Sequence, residues 1–130
     1  MKFARAVFSV AGIYGLIVLL PQYCLIEKNG RDFPPAITHP EYYYGFIGVG
    51  VAWQLAFLVL AKNPARYRPL MLPAVVERAG LGIAACALYS MGRLSVSLFA
   101  AAIIDLALGL MFVVAYRLTP SDYGPGERQW

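Results

Sequence analysis

Asp105 lies near the centre of residues 96–116, an apolar run long enough to cross a bilayer. A carboxylate at that depth costs about 2.5–3.5 kcal/mol on insertion scales, so it calls for a partner. Two chemistries suit it. It can serve as a proton-relay or substrate-anchoring carboxylate, or as a neutral acid that ties helices together by a hydrogen bond to Gln54, a hydroxyl or a backbone carbonyl. Gln54 is the strongly polar side chain of an apolar run at 42–61, and Glu77 and Arg78 open a third run at 74–91. These four residues are the candidate intramembrane polar site.

Adjacent residues on a helix do not face each other, so Glu77 and Arg78 each have two settings. In one, Glu77 sits near a helix N-terminus that favours negative charge, while Arg78 runs its stem out to the headgroups. In the other, Arg78 turns inward to Asp105, or Glu77 faces a cavity. Depth follows from the helical rise of about 1.5 Å per residue. Asp105 falls about 14 Å below the start of its span and Gln54 about 18 Å below the same surface. Those depths allow contact if their helices are neighbours. Glu77, counted from residue 74, falls only about 5 Å from the opposite surface, too far for a carboxylate dyad with Asp105.

Other reactive side chains form weaker constellations. His39, Glu41 and Glu27 share a polar loop at 27–41, but a single histidine beside three loop prolines makes no metal site. Cys24 and Cys86 form no CxxC or zinc spacing, and the expected reading is two buried free thiols rather than a disulfide. Lys62, Arg66 and Arg68 make a short basic cluster suited to lipid headgroups. No nucleophile–base pair, nucleotide-binding glycine loop, CxxCH or HExxH motif is present, so the sequence calls for no cofactor. Basic residues are scattered, with no stripe interleaved with aromatics, and nucleic acid is not an expected partner.

The elements that must position these residues are membrane spans. The chain is 60% hydrophobic and 14% charged, with mean hydropathy +0.62, where a soluble domain carries about 25% charged residues. Its 130 residues suffice for one bundle of four spans, at 6–26, 42–61, 74–91 and 96–116. The first follows Lys2 and Arg5 but precedes no A-x-A-like cleavage site, and reads as an uncleaved helix that Pro21 kinks or ends. The basic turn at 62–73, the GRLS turn at 92–95 and the polar tail at 117–130 complete the chain. The tail SDYGPGERQW reads as disordered or as an arm that docks on a partner.

Orientation follows from Lys and Arg on each side. With the N-terminus inside, Lys2, Arg5, Lys62, Arg66, Arg68, Arg78, Arg117 and Arg128 are inner, while Lys28, Arg31 and Arg93 are outer. Eight against three predicts both termini in the cytoplasm. Tyr23, Tyr42, Tyr43, Tyr44 and Tyr89 fall at the outer interface, with Tyr67 and Tyr116 at the inner one. Span four has eleven Leu, Ile, Val and Phe residues to offset Asp105, whereas span three has five and depends on its neighbours.

Small residues mark helix contacts in lipid. Ala101, Asp105 and Gly109 recur four apart, as do Gly50 with Gln54, Gly48 with Ala52, Gly80 with Ala84, and Ala11 with Gly15. In size and span number the chain resembles small bacterial four-helix membrane proteins of the DoxX-like kind. That resemblance implies a bacterial inner-membrane setting and carries over no residue roles. The expected function is structural or accessory, with the bundle packing as a homo-oligomer or as a subunit of a larger membrane complex. The alternative is a small transporter or membrane enzyme for a lipophilic or protonatable compound, with Asp105 at its core.

Overall fold

The computed structural model describes residues 1–121, and the tail from residue 122 lies outside the described residues. The described chain is all-α. Helix α1 (Lys2–Leu19) passes at Pro21 into a 3₁₀ segment, Leu20–Cys24, because proline offers no N–H to continue the α ladder. Helix α3 (Pro40–Lys62) starts with proline in its first turn, where the missing N–H leaves no bond unmade. Helix α5 (Val96–Leu118) is capped by Ser95, whose hydroxyl accepts from the Leu98 N–H at 3.4 Å.

Two expectations need correction. The segment 27–41 is not all loop, since α2 (Ile26–Asp32) forms there. Glu27 in its first turn and Arg31 in its last suit the helix dipole, and Lys28 pairs with Asp32 four residues on. The third span begins earlier than residue 74: α4 is Met71–Ser90, preceded by a 3₁₀ turn at Arg68–Leu70. Pro73 looks like a stop in sequence, but in a first turn it breaks no hydrogen bond. Counted with the 3₁₀ segments that follow α1 and precede α4, four helical spans among the described residues, each of 23 residues, are long and apolar enough to cross a membrane.

The chain runs up and down between two ends. A basic end carries Met1, Lys62, Arg66, Arg68 and Arg117, and a tyrosine end carries Tyr23, Tyr42, Tyr43, Tyr44 and Tyr89. Helices α1 and α3 pack closely and antiparallel. A Cβ on Gly12 would stand 2.8 Å from Leu58 Cδ2, one on Gly50 would stand 2.8 Å from Leu19 Cδ1, and one on Gly15 would run into Gln54. Helices α4 and α5 form a second close antiparallel pair, with Leu106 lying over Gly82 and Arg78 Cβ 3.3 Å from where a Gly109 Cβ would be. Their turn uses Gly92 at φ 69°, which a side chain would strain.

The pairs join mainly through α1 and α5, while α3 and α4 barely touch, so the ring of helices is almost open on one side. The core gathers towards the basic end. Phe8 stacks on Phe112 with centroids 4.3 Å apart, and Phe57 meets Phe112 edge-on at 5.0 Å. Val7, Leu60, Met71, Ala74 and Ala115 fill the space around these rings.

Candidate functional site

Above the aromatic core the two helix pairs diverge and leave between them a partly open cavity of about 960 Å³, mostly apolar in its lining. Tyr14, Val18, Phe46, Val49, Trp53 and Leu81 contribute to its walls. Gln54, Glu77, Arg78 and Asp105 all line it as well. The four candidate polar residues, drawn from three helices, thus meet in one place.

Arg78 is the hub. Its Nη1 donates to Asp105 Oδ1 at 2.7 Å and its Nη2 to Gln54 Oε1 at 2.8 Å. Its Nε lies 3.4 Å from Glu77 Oε2, too poorly aligned for a hydrogen bond, and both atoms are buried without a hydrogen-bond partner. The guanidinium carbon also stands 5.2 Å from the Phe57 ring centre, so the cation rests on the aromatic core below. Gln54 completes its own bonding through Nε2, which donates to the Gly50 carbonyl at 3.0 Å.

Glycines make this convergence possible. Gly15 leaves on α1 the notch that the Gln54 side chain occupies, and Gly109 lets the Arg78 stem lie against α5. The cluster is deeply set. Gln54 is 1% exposed, and the Arg78 side chain is 6% exposed, against 15% for Asp105 and 21% for Glu77.

The geometry corrects the sequence reading of this site in three respects. Arg78 does not run out to the headgroups; it takes the inward setting. Asp105 does not bond Gln54 directly, since one guanidinium bonds both. Glu77 is deeper than its distance from residue 74 implied, because α4 starts at Met71, and both carboxylates contact the same cation.

The remaining candidates lie elsewhere. Lys62 and Arg66 are exposed at the basic end. Arg68 folds back instead, with Nε donating to the Tyr116 carbonyl at 3.3 Å and the guanidinium 3.9 Å from that ring centre. His39 Nδ1 lies 3.1 Å from Glu41 Oε1 at the surface. Among the described residues no three His, Cys, Asp or Glu side chains converge as metal ligands. Cys24 and Cys86 are free thiols, and Cys24 is exposed rather than buried.

Sequence reasoning missed a second polar group at the tyrosine end of the cavity. Asn29 Nδ2 donates to Gln22 Oε1 at 2.6 Å and to the Tyr43 hydroxyl at 2.9 Å, while that hydroxyl donates to the Gln22 carbonyl at 2.7 Å. This network ties α2 and the 3₁₀ segment to α3. Only an i, i+7 relation between Gln22 and Asn29 hinted at it, and that relation needs α2 to be helical. Comparison with protein-family models, with curated proteins and with solved structures gave no match to this chain.

Proposed function

We propose that this protein is a small integral membrane protein that binds a lipophilic molecule in the cavity between its helix pairs, as a carrier, transporter or membrane enzyme would. The observation that carries this reading is an apolar cavity of about 960 Å³ ending on a cluster of four polar side chains, of which Gln54 and Arg78 are buried. Such a volume is at the upper end of small-molecule sites, which are mainly apolar with a few convergent polar groups. A tie between helices needs the cluster but not the space beside it.

The setting proposed is a bacterial inner membrane with both termini in the cytoplasm. Arg78 is buried in the site and does not count as a loop charge, which leaves seven inner basic residues against three outer ones. Cys24, exposed at the tyrosine end, is then open to a membrane-impermeant maleimide in whole cells. Labelling only after lysis would reverse the orientation.

The binding test is gentle purification followed by mass spectrometry of the extracted small molecules. Ala101 lines the cavity and carries no charge, so Ala101→Trp adds bulk at its wall while every side chain of the cluster is retained. Wild type is expected to retain a lipophilic compound that Ala101→Trp loses. Identical extracts from the two proteins would sink the proposal.

A second reading, that of a structural or accessory subunit, has one observation in its favour. A Cβ on Gly80 would meet nothing within 4 Å, so this glycine and its neighbour Ala84 present a small-residue surface away from the bundle. Gly80→Leu with Ala84→Leu should then abolish a higher species on native gels. An unchanged gel would remove this reading.

A further inference from the structure

We infer that the molecule held in this cavity is a lipophilic cation, of the class of an amine on a hydrophobic body, and that it enters sideways between α3 and α4. The inference rests on the binding reading above and adds the sign of the ligand's charge and its route.

The sign follows from what the cavity meets. The cluster contains two carboxylates and one guanidinium, so one acid more than Arg78 can balance. Arg78 does not present its charge to a ligand. It is the least exposed of the three, and it is held by Asp105, Gln54 and the Phe57 ring. The carboxylates of Glu77 and Asp105 are more open, at 21% and 15%, and both line the cavity. Ionising a buried carboxyl without a counter-charge costs several kcal/mol, roughly, and a monocation in the cavity offers that counter-charge to the second acid. An anion would meet the carboxylates before the guanidinium.

The walls agree with that sign. Tyr14, Phe46 and Trp53 line the same cavity, and aromatic faces attract cations, indole most strongly. Among the described residues no lysine lines the cavity, and Arg78 is its single basic side chain.

The route follows from the uneven helix contacts. The α1–α5 side is the better joined of the two, held at the basic end by Phe8 on Phe112. At the tyrosine end, Asn29, Gln22 and Tyr43 cross-link α2 and the 3₁₀ segment to α3. Between α3 and α4 the contacts are few. Phe46 and Val49 on one side and Val76 and Leu81 on the other line the cavity while also lying on the exposed surface. A lipophilic ion already dissolved in the bilayer meets an apolar entrance there, with Glu77 on α4 and Asp105 on α5 as its counter-charges inside.

The test uses two ions of matched shape and opposite charge, tetraphenylphosphonium and tetraphenylborate, titrated into the full-length protein in mild detergent. The cation is expected to bind, and Glu77→Gln and Asp105→Asn are each expected to weaken it by about tenfold or more. Ala101→Trp is expected to abolish binding with every charge in place. Val76→Trp, at the entrance, is expected to slow association more than it lowers affinity. Thermal melting of each variant separates loss of the site from loss of the fold, and where a carboxylate variant does not fold the preference of the wild type for the cation over the borate, lost in Ala101→Trp, carries the test.

Stronger binding of the borate, or cation binding that Glu77→Gln and Asp105→Asn leave unchanged in folded protein, overturns the inference. A neutral lipid recovered from the wild type but not from Ala101→Trp, with neither ion binding, also overturns it and leaves the binding reading intact. Failure of both ions and of any extracted compound overturns the two together.

Discussion

The two halves of this bundle use the same kind of helix to opposite ends. Towards the basic end, Phe8, Phe57 and Phe112 close the space between the pairs, and small residues such as Ala4, Ala11, Ala74 and Ala115 let the backbones approach. Towards the tyrosine end, similarly apolar side chains on α3 and α4 do not meet, and the gap becomes the cavity. Composition does not distinguish the halves. The difference lies in which helices touch, and in a polar cluster at the boundary that occupies the position a further hydrophobic layer would otherwise take. In lipid no hydrophobic drive forces apolar helices together, so such a gap carries less cost than it would in water.

Mutations in each half should therefore differ in kind. The largest effect is expected from Phe112→Ala, which removes a ring that touches two others and leaves a void in the closed half. A loss of about 3–5 kcal/mol is expected in detergent unfolding. Phe46→Ala, on the open side, should cost less than about 1 kcal/mol because its ring is largely exposed. Equal losses at the two sites would dissolve the contrast between halves.

A similar loss, about 3–5 kcal/mol, is expected from Asp105→Leu, since Arg78 then keeps a buried charge with its best-aligned partner gone. Pairing it with Arg78→Met should recover most of that loss, as apolar replacements of buried ion pairs often do. A double variant no more stable than Asp105→Leu alone would show that the cluster holds the fold together in its own right.

The third comparison is between glycines. Gly15→Ala drives a methyl into the buried Gln54 side chain and should cost about 1–3 kcal/mol. Gly80→Ala meets open space and should be neutral, or should stabilise by up to about 1 kcal/mol through helix propensity. The smallest effect is expected from Arg68→Lys. It loses the planar stack on Tyr116 and the bond to its carbonyl, worth about 0.5–1 kcal/mol at a half-exposed site.

Much of the fold was legible because crossing a bilayer demands long apolar runs, and those runs are plain in the sequence. The residues of the polar cluster were legible for the same reason, since Asp105 and Gln54 stand out against hydrocarbon. Their geometry was less so. Pro73 hid the true start of α4, and that error of three residues set Glu77 and Arg78 too near the surface. Arg78 has a stem long enough to reach outward or inward, and only the positions of Gln54 and Asp105 on other helices settle which way it turns. The cavity left no trace in periodicity. Helices apolar on every side carry no stripe to show which face stays unpacked.

The three phenylalanine rings have a mechanical consequence. They join two stiff, glycine-packed helix pairs near one end only, which is the construction of a clothes-peg with its pivot at the basic end. From Phe57 to Tyr43 the arm is roughly 21 Å long, so a tilt of about 5° at the pivot moves the far ends by about 2 Å. Arg78, resting on the Phe57 ring and bonded to both pairs, sits just beside that pivot, at the short end of the lever.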